Sequence, residues 1–290
     1  MVFNSTEFYL FLPIVFSIYW LLKGKTKLQN LFILIASYVF YGWWDFRFLI
    51  LIAFTSVCSY YSGLLIGKFR SSDNDDRLPG HRKAKAVVIT NIVANLVILG
   101  IFKYYNFFIG SFLSLFPQLN ADRFLINIIL PVGISFYTFQ AIGYSIDVYK
   151  GKMEPTCDVV AFFSFVSFFP QLVAGPIERA DHLLPQFLKE RRFDYTVAMD
   201  GCRQMIWGFF KKMVVADRCA LYVDSVWSDY ASQNGSTLVL AALCFAFQIY
   251  GDFSGYSDIA IGTAKLFGIQ IKRNFNVPYF SRDIAEFWRR

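Results

Sequence analysis

Long uncharged stretches alternate with short charged connections along this chain, and the alternation predicts helices that cross a membrane. Residues 48–67, 124–146 and 230–251 carry no charged side chain, and neither do 28–44, 86–102 and 104–121. At a rise of about 1.5 Å per residue, about 20 residues span the hydrocarbon layer. The shorter stretches can reach across it when flanking charged residues snorkel toward the interfaces. A soluble protein could bury one such helix, but not six within 290 residues. The expected fold class is an all-α polytopic integral membrane protein, a multi-helix bundle.

The predicted spans cover about 8–22, 28–44, 46–67, 86–108 and 125–148. The opening MVFNSTEFYLFLPIVFSIYWLLKGKTK lacks a basic leader and a small-residue cleavage site, so it reads as a retained first span. With simple crossings, Lys23, Lys25 and Lys27 fall on the same side as the basic 68–85 connection and as Lys150 and Lys152. Short basic loops stay in the cytoplasm, so the N-terminus is expected outside.

After residue 150 the simple pattern fails. VVAFFSFVSFFPQLVAGPI is uncharged but interrupted by Pro170 and by Gly175–Pro176, which predicts a broken or re-entrant segment. A kinked packing helix is the plainer alternative. In the next stretch Met205, Ile206, Phe209, Phe210 and Met213 recur at helical spacing with Arg203, Lys211 and Lys212 on other faces. This suits a helix near the cytoplasmic interface or one capping the bundle.

Composition sharpens the class. The chain is 56% apolar, 20% aromatic and only 17% charged, with a formal net charge of +7. The basic residues sit beside apolar runs, so the charge points to membrane topology and not to nucleic acid. Five cysteines, Cys58, Cys157, Cys202, Cys219 and Cys244, lack metal or disulfide spacing and are expected to be buried free thiols. No metal site and no bound cofactor are indicated.

Tyr250, Asp252, Tyr256 and Asp258 form the most informative cluster, because carboxylates at membrane depth are costly and face protein or water. Asp258 and Lys265 are two helical turns apart and can share a face. Asp252 points elsewhere if the helix is continuous; alternatively it caps a helix beginning near FSGYSD. His81 lies among charges and His182 beside Asp181, and neither belongs to a recognisable catalytic constellation. Near the end, Arg282, Glu286 and Arg290 are spaced i, i+4, with Ser281 and Asp283 suited to a helix start.

Five separated motifs then carry a resemblance: FYGWWDFRFLILI, ILPVGISFYTFQAIGYSIDVYKG, SFFPQLVAGPIERA, QIYGDFSGYSDIAIGTAKLFG and NFNVPYFSRDIAEFWRR. Together they resemble bacterial membrane-bound O-acyltransferases, most of all the branch that acetylates alginate, over the whole chain in order. The resemblance implies one membrane-embedded unit over 1–290, with N-terminal spans to 122 and the first part of an acyltransferase core over 123–290. Family members are typically longer, and their motif continues past Phe287-Trp288-Arg289-Arg290 into Trp-His, so the catalytic histidine is expected beyond Arg290.

For the intact protein the resemblance implies O-acetylation of an exported polysaccharide such as alginate, with acetyl-coenzyme A as acyl donor. It also implies a bacterial inner membrane location and help from periplasmic partner proteins. D-alanyl or other acyl transfer to an envelope polymer is the neighbouring alternative, and a non-catalytic scaffold or a transporter lies outside the enzyme class. The supporting or cavity-lining candidates in this sequence are Gly175, Pro176, Tyr250, Asp252, Tyr256, Asp258, Asn276, Pro278, Trp288, Arg289 and Arg290. They are expected to shape the cavity and its electrostatics, with Arg289 near donor phosphates.

Overall fold

The computed structural model describes residues 1–71, 79–115, 129–172, 175 and 178–290. Among them the regular structure is helical and contains no strand, as the uncharged runs predict. Three helices are long and apolar enough to cross a membrane: Phe46–Arg70, Gly80–Leu115 and Gly235–Leu266. Thr6–Leu21 and Val159–Leu172 are shorter apolar segments. Pro176 and the first part of the fifth predicted span lie outside the described residues, and the fifth helix itself runs from Ile134 to Tyr149.

Local signals account for the helix ends. The first helix, α1 (Thr6–Leu21), starts on Ser5, whose side chain accepts from the Phe8 amide. Pro13 lies inside it, and Ser17 Oγ donates to the Pro13 carbonyl at 2.8 Å. Next come α2 (Thr26–Gly42), α3 (Leu49–Ser71), α4 (Pro79–Leu115) and α5 (Ile134–Tyr149). Asp158 caps α6 (Val159–Ser167) by accepting from the Ala161 amide at 2.9 Å. The expected break then falls at Phe168, before Pro170, and α7 covers Phe169–Leu172. The remaining elements are α8 (Ala180–Leu188), α9 (Tyr195–Phe209), a π-helical turn over Phe210–Ala216, α10 (Asp217–Trp227), α11 (Gly235–Leu266) and α12 (Ile284–Arg289).

These residues group into two compact units. One comprises Ser37–Phe168 and Arg179–Leu188. Within it, Gly63 on α3 admits the ring of Tyr144 from α5: a methyl built on Gly63 would stand 2.5 Å from that ring. Asn91 on α4 donates to Ser145 Oγ on α5 at 2.9 Å, and Asn95 donates to Asn91 Oδ1 at 3.0 Å. Asn91 thus ties α4 to α5 through a buried polar contact of the kind that joins helices in lipid.

The other unit comprises Met1–Ala36, Phe169–Glu178 and Lys189–Arg290. The end of α1 is fastened to the end of α11, where Tyr19 and Trp20 donate to the Phe267 and Leu266 carbonyls at 3.0 Å each. Arg191 lies buried beside them, donating to Asn30 Oδ1 at 2.6 Å under the ring of Tyr19. Beyond α11 the chain turns at Gly268, whose φ of 70° suits glycine, and runs back along the same helix.

None of the five cysteines is buried, which corrects the expectation from their apolar neighbourhoods. Cys157 and Cys202 are exposed, and the other three are half-buried. An apolar neighbourhood in sequence here includes faces turned outward, as expected for helices meeting lipid.

Candidate functional site

Helices α9 and α11 meet glycine on glycine. A methyl built on Gly201 would stand 2.7 Å from the Gly262 carbonyl oxygen, and one on Gly208 would stand 2.7 Å from that of Gly255. The pairs 201–262 and 208–255 run in opposite order, so the helices are antiparallel. Small residues let the backbones approach closely, the usual means of helix association in lipid. Gly251 extends the contact, with its built methyl 3.1 Å from the Lys211 carbonyl.

Beside this seam each helix carries a stripe at the same 4-3-4 spacing, polar at three of its four positions. Asp200, Gln204, Trp207 and Lys211 lie along α9 and the following π turn; Ser254, Asp258, Ile261 and Lys265 lie along α11. The stripes join into one network. Lys265 Nζ pairs with Asp200 Oδ2 at 2.5 Å and donates to Gln204 Oε1 at 2.8 Å. Gln204 Nε2 donates to Asp258 Oδ1 at 2.8 Å. Asp258 also pairs with Lys211, which reaches Ser254 Oγ at 3.1 Å. The hydrogen bond and charge of Lys265, with Arg203 adding to them, hold the Asp200 carboxyl below its ordinary range.

The network forms one wall of a cavity of about 1110 Å³. The chain returning from α11 supplies the opposite wall, with Arg273, Asn274, Phe275 and Tyr279. Asn274 donates to Ser257 Oγ at 3.3 Å and Tyr279 to the Ala246 carbonyl at 2.8 Å, which holds this segment along α11. Tyr250 packs against Phe275 and Tyr279, with ring centroids 6.1 and 5.4 Å away. The result is a large, mainly apolar space with a few convergent charged groups, the usual character of a small-molecule site.

The expected residues fall in three places. Tyr250 and Asp258 line the cavity, and Asp258 and Lys265 do share a face, joined through Gln204. Asp252 and Tyr256 point away from it. Lys212 lies 2.7 Å from Asp252 and 2.9 Å from Asp217, with its Nζ 5.6 Å from the centre of the Tyr256 ring. The capping role for Asp252 is corrected: α11 runs unbroken through it, because Gly251 and Gly255 serve helix packing and end nothing.

Gly175 lies buried after α7, and a methyl there would stand 2.5 Å from the Gln171 Cα, so the backbone turn leaves no room for a side chain. The other expected residues gather at the tail. The Asn276 amide donates to the Arg290 carbonyl at 2.7 Å, and Pro278 begins a short 3-10 turn. Asp283 caps α12 by accepting from the Glu286 amide at 2.7 Å. Glu286 in turn accepts from Arg290 at 2.8 Å and from Arg282 at 3.2 Å. These bonds, led by the Arg282 amide, pull the Glu286 carboxyl down to about 2. Trp288 and Arg289 are exposed and outside the cavity wall.

Asp200, Gln204, Lys211 and Ser254 were not foreseen as site residues. Of the apolar series Met205, Ile206, Phe209, Phe210 and Met213, Met205 is buried with Ala198, Gly201 and Gly208, Phe209 is half-buried, and Ile206, Phe210 and Met213 are exposed, Phe210 toward the cavity. The matched 4-3-4 polar stripes on the two segments are the signal that could have found them.

No family model matches the chain. It is similar along its whole length to probable alginate O-acetylases: 42% identical to that of Pseudomonas aeruginosa over 294 residues and 39% identical to that of Azotobacter vinelandii over 292. It is also 34% identical over 322 aligned positions to the peptidoglycan O-acetyltransferase of Helicobacter pylori. All of this chain is covered, with 54%, 56% and 58% of the respective relatives, so the chain spans about half the length of the curated relatives it matches. With this unbroken similarity to named O-acetylases and an all-helical, membrane-suited fold, the chain belongs to the membrane-bound O-acyltransferase family, on the alginate O-acetylase side.

Proposed function

We propose that this protein serves the O-acetylation of an exported polysaccharide, alginate being the acceptor in the names of several relatives it resembles. The observation that carries the reading is the full-length similarity to alginate O-acetylases, which runs through both helices of the cavity. Acetyl-coenzyme A is the proposed donor, reaching the protein from the cytoplasm. The acceptor lies across the membrane, with periplasmic proteins assisting transfer. By the basic-loop rule the connection after α1 is cytoplasmic and the N-terminus is outside.

Acyl transfer to a hydroxyl needs a base for the proton and polar groups facing the charge that develops on the acyl oxygen. The cavity supplies the second need: Lys211 is held by Asp258 and Ser254 on its wall. A histidine following Arg290, which the resemblance to the family implies, is the proposed base; neither His81 nor His182 lines this space. Deleting the gene should remove acetyl esters from the exported polymer, measured by proton NMR, and restoring it should return them. Unchanged ester content would refute the reading, and acetate uptake without covalent labelling would favour a transporter.

A further inference from the structure

The cavity wall carries four cationic side chains, Arg203, Lys211, Lys265 and Arg273, against two carboxylates, Asp200 and Asp258. Both carboxylates are already matched: Lys265 pairs with Asp200, and Lys211 pairs with Asp258. Arg203 and Arg273 make no ion pair or hydrogen bond with another described side chain, and both are exposed to the cavity. Two guanidinium groups are left over, each presenting paired donors suited to a phosphate oxygen pair.

Their level in the fold narrows the ligand. Gln204, next to Arg203, is bonded to Asp258; Asn274, next to Arg273, is bonded to Ser257. Both arginines therefore flank the same turn of α11. That turn lies eight residues before Leu266, about 12 Å along the helix from its end. The end of α11 is fastened to Trp20 on α1, directly before the basic connection of Lys23, Lys25 and Lys27. A ligand entering from this end comes from the side that holds the basic loops, which is the donor side and not the side of an exported polymer.

We propose that Arg203 and Arg273 form an anion subsite that takes a phosphate ester, and that the aromatic surface of Tyr250, Phe275 and Tyr279 receives the uncharged part of the same ligand. This rests on reading the cavity as the acyl-donor site. A soluble phosphorylated donor and an anionic lipid headgroup offer the same phosphate chemistry.

The test is equilibrium binding to the protein purified in neutral detergent, using coenzyme A, pantetheine without phosphates, and phosphatidylglycerol in mixed micelles. Coenzyme A should bind with salt-dependent affinity. Arg203→Gln and Arg273→Gln should each weaken it by about tenfold or more, while Arg→Lys variants retain part of the affinity. Pantetheine binding should not respond to either change, and Lys150→Gln, in an exposed connection, should leave all three ligands unaffected. Arginine dependence for phosphatidylglycerol alone would keep the subsite and assign the phosphate to lipid. Equal affinity of wild type and the double variant for both phosphorylated ligands, or binding of neither, would overturn the proposal. Arginine-dependent coenzyme A binding without any acetyl transfer would remove the acetylation reading and leave the subsite. Acetyl transfer with an unchanged KM for donor in the double variant would remove the subsite alone.

Discussion

Gln204 and Asp258 meet across the α9–α11 seam at 2.8 Å, the amide nitrogen donating while the amide oxygen accepts from Lys265. Only a group that donates and accepts at once can join two ion pairs in this way. Gln204→Leu should leave Asp258 and Lys265 each short of a partner and cost about 1–3 kcal/mol of stability. Gln204→Glu should be worse for function, because it sets a second carboxylate against Asp258. Thermal unfolding in detergent measures the first effect. Partial recovery in Gln204→Glu with Asp258→Asn, which reverses the polarity of the bond, tests the second.

The glycine seam makes a steric prediction. Gly208→Leu should push α9 from α11 and destabilise the protein by about 1–3 kcal/mol or prevent its accumulation. Gly143→Ala within α5 is the contrasting case, since nothing lies within 4 Å of a methyl built there. Helix propensity alone should then apply, a gain of about 0.5–1 kcal/mol. Detergent-solubilised melting temperatures should move in opposite directions.

Much of this architecture is legible in the sequence because charge is so costly in lipid. The uncharged runs mark α3, α4 and α11, and the lone carboxylates of α11 mark a polar feature. What stayed hidden follows from the same physics. Helices that associate in lipid bury glycine, so Gly201 and Gly208 escape an apolar-periodicity reading that favours residues such as the exposed Ile206. The residues FSGYSD look like a helix start because glycine weakens a helix, yet Gly255 is occupied by the Gly208 backbone. Lys211 and Lys212 are adjacent yet serve different sides, Lys211 pairing with Asp258 and Lys212 with Asp252; the polar 4-3-4 spacing, not apolar periodicity, puts Lys211 on the cavity wall.

Acid should loosen the tail in a defined window. The Glu286 carboxyl titrates near 2 when folded, against an ordinary 4.5, because the Arg282 amide and both arginine side chains favour its charged form. A depressed carboxylate stabilises above its unfolded value and ceases to do so as pH falls through the folded one. Protection of amides 284–290 against hydrogen exchange, corrected for intrinsic rates, should therefore be full above about pH 5 and decline between about 4.5 and 2. Glu286→Gln should be poorly protected at neutral pH and lack that transition.

Acetyl transfer by site variants tests most directly the cavity that lies between the α9–α11 stripe and the chain returning from α11. Membranes carrying the protein expressed from its own gene would be given labelled acetyl donor and exported polysaccharide, and ester-linked label in the polymer counted. Lys211→Met and Asp258→Asn should each lower transfer at least tenfold at matched protein levels, whereas Lys212→Met, which faces away, should retain most of it. Full transfer by both cavity variants would contradict the assignment of this space to acyl transfer.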